Sequence, residues 1–546
     1  MVRRFSRKAL LLATAVRNPE RFPAFLSALF PYDGELFTES VARKIAVSLI
    51  QSREYYPDKA IKNVDELHKY IKNTKPMTLD DAETAMQWNL DNLSGHGVGG
   101  FPKKSWGGRA VEWFNLMQEL GAVRVHKDSK IQFSKSGNDL VRIHSDSLVK
   151  NPDILLSNFW LNGLVKLQPK SPFRSGTIEN RPFVLMLDVM IKLSKKLGIN
   201  YHGLYRHELS FLLNWNGYDA DEFIDYILSV RKRYGLQPSS DVVYELVMND
   251  KKMLYGESQN RFKKAQIIYD IVNDWMGKTR MTGIIQSRGN GRALDIITNK
   301  ENSNDTEEMD KAKYIVAHYH NYNDETDPDK YFDYIAQVDN QLLFSESKSF
   351  TDHTTSKKDK LSELSQSMSW DEITKELNVL SSNRSTSKNE MLKIIREPLR
   401  FEFLSAIAAK KAFSNAKIEA NYPADDEGMP RSTAPGGVPD LFIKDDKTGT
   451  TIEVTLQNGK QQAVNEIPAI DLHLKDMKER DHNNNYFAVF VAQRLHEQTI
   501  WMSEFSFANG DIISTYDIKE YASAISRSRE IDDLKKLPKV HYKRIN

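Results

Sequence analysis

The chain has 546 residues, 40% hydrophobic and 27% charged, which is the composition of a soluble globular protein and at ~100–200 residues per domain too long for one core. Its formal net charge of +2 excludes a global field as the means of holding nucleic acid, so such a partner has to be met by local basic patches. The absence of cysteine excludes disulfides and thiolate metal sites and fits a reducing cytoplasm, and no stretch reaches the ~18 apolar residues of a membrane span.

The opening MVRRFSRKALLLATAV has the basic end and short apolar run of a signal peptide. The amphipathic ERFPAFLSALF follows at once, so a folded N-terminal segment is expected instead. Residues 1–298 read as mostly helical, broken by short hairpins. Trp113, Phe114, Met117 and Leu120 fall at helical spacing, and Gly121 can end that helix. VRVH, KDSK and IQFS then read as strand, turn and strand, carrying Arg124 and Lys130. Helix followed by a basic hairpin is the pattern of a winged helix. It recurs between Phe262 and Ile297, where a glycine-rich turn carries Arg288 and Arg292, with Arg280 just before it. A helix–turn–helix, ending in the basic RKRYG, lies between the two.

One such unit would be an ordinary helical domain with a surface hairpin. Two, each with basic turns, predict binding to double-stranded DNA, because such turns can contact phosphates or enter a groove. Arg280, Arg288, Arg292, Arg124 and Lys130 are the candidate DNA contacts.

Residues 299–392 are polar and acidic, then Ser/Lys-rich, and read as a linker with some helix of its own. SGHGVGGF near Ser94 lacks the GK[ST] of a phosphate loop, and His318 and His320 alternate in a polar context; both read as plain surface features. From 393 to 546 the texture changes. EPLRFEFLSAIAAKKAF is a helix with Pro398 in its first turn, and PDLFI and TTIEVTLQ are strands joined by DDKTG. A helix from Pro468, a buried strand YFAVFVAQ, a strand IIST and a helix DIKEYASAI follow. The expected fold is α+β and multidomain: a helical, winged-helix-like N-terminal region (1–298), a helical linker (299–392) and a C-terminal α/β domain (393–546) with a mixed central sheet.

In TTIEVTLQ the strand period of two sends Ile452, Val454 and Leu456 to one side and Thr451, Glu453, Thr455 and Gln457 to the other. Asp440 begins the partner strand, thirteen residues earlier, and the turn can bring the two acids together. Two carboxylates with the Val454 carbonyl beside them make a hard-oxygen site suited to Mg²⁺, which keeps several waters and takes one or two carboxylates with substrate phosphate. Glu466 and His473 are two helical turns apart and share a side of the next helix. Glu402 lies among apolar neighbours on the helix before the hairpin. Taken singly, Glu402 reads as readily as a cap or ion pair, and His473 as an ordinary histidine.

PD, then EVT thirteen residues on, then Glu and His on the next helix, resembles the PD-(D/E)XK nuclease superfamily. More narrowly it resembles the AlwI-type group of type IIS restriction endonucleases, the pattern standing here as PDLFI…IEVT…NEIPAIDLH. Glu402 in its FEF context and the TAVRNPERF opening are similar to that group as well. The resemblance is strong over about 90 residues at the C-terminal end and weaker over the N-terminal half.

It implies an enzyme of two parts. The N-terminal half would recognise a short asymmetric DNA site, and the C-terminal PD-(D/E)XK domain would hydrolyse phosphodiester bonds a few base pairs away. Asp440, Glu453, the Val454 carbonyl and Glu402 would hold Mg²⁺, or Mn²⁺ in its place, with Glu466 and His473 as further catalytic groups. The superfamily's usual lysine is replaced by Thr455, as in the AlwI-type group, and His473 is favoured to supply its role over Gln457 and Lys460. A homodimer or heterodimer through the nuclease domain would cut both strands, and a separate DNA methyltransferase would accompany it in the cytoplasm of a bacterium or archaeon. The alternatives are a strand-specific nicking enzyme, one subunit of a heterodimeric restriction enzyme, and a non-cleaving DNA-binding protein.

Overall fold

The computed structural model describes residues 19–71, 75–93, 97–102, 105–145, 151–198, 201–298, 306–344, 353–382, 387, 389, 392, 395–425, 428–483 and 485–537. The stretch weighed as a signal peptide lies outside them, as do the start of the TAVRNPERF motif and most of the basic C-terminal tail. The chain divides into two compact units, one of residues 1–286 and 293–350, the other of 287–292 and 351–546. Among the described residues, no helix is long and apolar enough to cross a membrane.

The first unit is mainly helical around one large core that includes Phe22, Phe114, Trp160, Trp215 and Trp275. Helix Trp106–Glu119 leads into a short antiparallel hairpin, Val123 opposite Phe133 and Arg124 opposite Gln132, and then into helix Lys135–Ser145. The second unit of this kind starts from helix Ile271–Arg280 and strands Ile285–Arg288 and Ala293–Ile296. A third strand, Leu204–Tyr205, pairs antiparallel with Ala293–Ile296.

The segment read as a linker has two fates. Helices Glu307–His318 and Pro328–Ala336 lie in the first unit. Helices α1 (His353–Ser367) and α2 (Trp370–Leu380) lie in the second, where Leu361, Ile373, Leu377 and Leu380 are buried in the core beneath its sheet.

In the second unit α3 (Glu397–Ala412) precedes the strands β1 (Lys417–Ala420), β2 (Leu441–Lys444) and β3 (Gly449–Thr455). Next come α4 (Gln461–Asn465), α5 (Ile467–Asp481), β4 (Phe487–Ala492), α6 (Glu497–Ala508), β5 (Ile513–Asp517) and α7 (Ile518–Arg527). Among the described residues these strands form one mixed sheet in the order β5-β4-β3-β2-β1. β1, β2 and β3 are antiparallel neighbours, and β3, β4 and β5 run parallel. The expected α+β class with a mixed C-terminal sheet is what the chain adopts.

Period-two alternation divides this sheet between two cores. Leu441, Ile443, Ile452, Phe487, Val489 and Val491 face α1, α2, α3 and α7. Phe442, Ala488, Phe490 and Ala492 face α5, meeting Ile467, Ile470 and Leu474. The continuous apolar run of β4 is therefore the mark of a strand covered on both faces. The β2–β3 hairpin is closed by Asp445, whose carboxylate accepts the Lys447 and Thr448 N–H groups at 2.8 and 2.9 Å.

Candidate active site

Register brings the two strand acids together. β2 and β3 pair from Lys444 opposite Gly449 to Leu441 opposite Ile452, and one further step sets Asp440 opposite Glu453. On the sheet face shared by Thr451 and Phe442, both point toward α5. β3 runs on past the end of its pairing with β2, and the Val454 N–H, which would otherwise lack a strand partner there, donates to Asp440 Oδ2 at 2.8 Å. The N–H and C=O of one strand residue point to the same side, so the Val454 carbonyl is also turned toward Asp440. The next carbonyl, of Thr455, faces the other way and accepts the Gln493 N–H of the β4 side at 3.2 Å.

From α5, His473 Nδ1 reaches Glu453 Oε1 at 2.8 Å. Both side chains are nearly buried, and the Glu453 contact holds the imidazole's proton more tightly than usual. Glu402, on α3, is 5% exposed and accepts the Ala434 N–H at Oε2, 3.0 Å away. Burial pushes its carboxyl up to about 7, with Glu453 adding to the rise. Glu466 immediately precedes α5, and burial together with the Glu453 charge raises its carboxyl as well. Asp440 is raised well above the usual carboxylate range by burial, then by the charges of Glu453 and Glu402; the Val454 N–H opposes that shift.

Asp440, Glu453, Glu402 and Glu466 thus form one electrostatically connected group, with His473 as the basic side chain against Glu453. Among the described residues no three His, Asp or Glu side chains close around a common point as a finished metal cage. The donor set nevertheless fits a hard divalent cation: carboxylates and a backbone carbonyl, with carboxyl groups raised by crowding and burial. Thr455 stands at the position of the expected lysine and its hydroxyl accepts the Gln457 N–H at 3.2 Å. Lys460 and Gln457 are exposed on the loop that follows.

The basic residues of the two helix-plus-hairpin segments separate. Lys130 is exposed in its hairpin. Arg280, Arg288 and Arg292 are half-buried. Arg124 has to be corrected: it is 7% exposed, with Nε on Asp329 at 3.0 Å and Nη1 on Gln118 at 2.8 Å, so its guanidinium is a buried strut rather than a surface contact. A basic residue in a two-residue strand looks solvent-facing when its acidic partner lies 205 positions away. The Ala434 N–H that holds Glu402 was likewise not visible in sequence, since a loop between two strands gives no periodic signal.

Residues 345–523 match the family model of the AlwI restriction endonuclease, so the resemblance read from the motifs is found again over this third of the chain. A comparison with curated proteins finds no match. Among solved structures, the small subunit (R.BspD6I2) of the heterodimeric restriction endonuclease R.BspD6I is 17% identical, over 29% of this chain and 77% of that one, with a TM-score of 0.25. Restriction endonuclease FokI bound to DNA is 9% identical over 96% of each chain, with a TM-score of 0.23. FokI in a second structure is 11% identical, covering 92% of this chain and 93% of that one, with a TM-score of 0.22.

Proposed function

We propose that the chain is a type IIS restriction endonuclease, cutting DNA by Mg²⁺-dependent hydrolysis a few base pairs outside a short asymmetric site. The observation that carries this reading is the group of carboxylates around the end of β2 and β3, where burial and neighbouring charge raise Asp440, Glu402 and Glu466, inside the segment that matches a restriction endonuclease family.

Asp440, Glu453 and the Val454 carbonyl are the residues that would hold Mg²⁺, with Glu402 beside them. When bound, that ion polarises the phosphoryl oxygen and lowers the pKa of a coordinated water. The chain's own groups do the rest. The Val454 N–H fixes the rotamer of Asp440, and the Ala434 N–H fixes that of Glu402. Glu453 holds the Nδ1 edge of His473, which leaves Nε2 to accept the proton of the attacking water, the logic by which a carboxylate orients a histidine base. This gives His473 the place of the missing lysine. Glu466 positions the water from the start of α5.

The N-terminal region, residues 1–298, reads the site. Its two helix-plus-hairpin modules act as winged-helix-like DNA readers, with Lys130, Arg280, Arg288 and Arg292 as the contacts. One such group of carboxylates hydrolyses one strand at a time, so cutting both requires a second nuclease unit, from another copy or from a partner subunit.

The test is a digest of plasmid DNA with Mg²⁺, beside Asp440→Ala and an EDTA control. Discrete fragments from the wild type alone support the reading, and open circles alone assign a nicking enzyme or an absent partner. Mobility-shift binding without any cleavage would replace it by a non-cleaving DNA-binding protein.

A further inference from the structure

Gln462 is 0% exposed, yet its side chain ends in a polar amide. Its amide uses every hydrogen-bonding position it has. Nε2 donates to the Gln457 carbonyl beyond the end of β3, and to the Arg494 carbonyl beyond the end of β4 at 2.8 Å. Oε1 accepts the His496 N–H and the Thr499 hydroxyl, both at 3.2 Å, at the start of α6. Two donors and two acceptors are the full capacity of a glutamine amide. One side chain therefore ties together the ends of two strands and the beginning of a helix.

The backbone of the same residue leads to the acids. Gly459 takes a positive φ of 86°, and its carbonyl accepts the Gln462 N–H at 3.2 Å. The Gln462 carbonyl in turn accepts the Glu466 N–H at 3.0 Å, and the Glu466 carbonyl accepts that of Ile470 at 2.9 Å, inside the helix that carries His473. The tie also accounts for the inner face of α6, where Thr499, Ser503 and Ser506 are the buried residues. A helix that buries hydroxyl side chains has an apolar driving force too weak to place it, so its anchor has to be polar.

We propose that Gln462 is a positioning residue of the nuclease site: its four-bonded amide sets the turn that delivers Glu466 and the α5 helix of His473 to Asp440 and Glu453. The role rests on the proposed reading of that site. Glutamate at 462 removes both donors and buries a further charge beside the acids, and methionine keeps the length while leaving four buried polar groups unmet. Catalytic groups tolerate little displacement, and a shift of ~1 Å at such a site costs about 10²-fold in rate.

The full chain is assayed on DNA that the wild type cuts, with single-turnover cleavage, mobility-shift affinity and thermal stability read in parallel. The variants are Gln462→Met, Glu466→Gln and the pair combined. The expected result for Gln462→Met is a rate at least ten-fold lower at a temperature where it stays folded, with DNA affinity unchanged. Because Gln462 acts partly through Glu466 and partly through the helix of His473, the double variant should be slower than Glu466→Gln by less than the factor Gln462→Met costs on its own. Independent, multiplying losses, or a Gln462→Met rate that falls only with the folded fraction, would overturn the proposal. A wild type that cuts no DNA overturns the underlying reading and this role with it, an outcome separable because that control is read first.

Discussion

The two units bury charge in opposite ways. In the first, each deeply buried charge named here has its counter-ion: Arg231 meets Glu208 through two contacts of 2.7 and 2.9 Å, Arg174 meets Glu119, and Lys278 meets Asp274. In the second, four carboxylates gather around the end of two strands, with one histidine against Glu453. A buried pair is neutral and self-sufficient; crowded acids are a cost that folding alone does not repay. The contrast separates charge kept for architecture from charge kept for chemistry, and it does so without reference to any motif.

The comparison can be broken most sharply by removing one charge from each unit. Asp440→Ala should abolish cleavage, by at least the 10²–10³-fold that follows loss of one transition-state-stabilising group. The same change should raise the metal-free melting temperature of its unit, because a raised carboxylate and its repulsion disappear. Arg231→Ala should do the reverse. It leaves Glu208 uncompensated and costs about 3–5 kcal/mol of stability, read by denaturant unfolding. If Asp440→Ala lowers metal-free stability as Arg231→Ala does, the distinction between the units fails.

Metal should act on one unit alone. At about 100 times its Kd, Mg²⁺ should add about 2.7 kcal/mol to the stability of the C-terminal unit, seen as a higher melting temperature against an EDTA control. Asp440→Asn should erase that shift, while the transition of the first unit stays where it was.

A further effect on the same unit comes from pH. Glu402 ionises near 7 when folded and near 4.5 when unfolded, so the folded chain binds the extra proton between those values. The raised pKa of His473 works in the same direction, its contribution being lost as pH rises above 6.5 through the folded value. Without metal, the C-terminal unit should therefore lose stability as pH rises from about 4.5 to 7 and beyond. Glu402→Gln should flatten the lower part of that slope in a series of melts. A slope of the opposite sign would remove the repulsion argument.

The smallest expected change is at the surface of the first unit. Lys130→Ala should lower DNA affinity slightly and reduce the salt slope of binding by about 0.9, the value for one phosphate contact. Arg124→Ala should instead reduce stability, since its guanidinium bridges Gln118 and Asp329.

What was legible in the sequence follows from how local each signal is. Asp440 and Glu453 could be placed because a hairpin's register is local, and the period of two fixes which face an acid takes. Glu466 and His473 could be placed on one helix by spacing, but the contact of His473 with Glu453 depends on how α5 crosses the sheet. β1 went unread: it is a four-residue strand at the sheet's edge, too short for its alternation to register. α6 went unread because its pattern is inverted, with Thr499, Ser503 and Ser506 inside and Trp501 and Phe505 more than half exposed. The role of Gln462 depends on partners from three separate segments, and no window of sequence contains them all. The same distance hid the Arg124–Asp329 pair.

The hairpin of β2 and β3 also divides the thirteen-residue interval between the acids into a stiff part and a slack one. Within Leu441–Lys444 and Gly449–Ile452, an inserted residue would turn one acid away from the other, because a strand reverses its face at every step. Within 445–448 an insertion can loop outward and leave the pairing alone. Length variation in this segment should therefore be survivable at the turn and ruinous in the strands, whatever the identity of the residue gained.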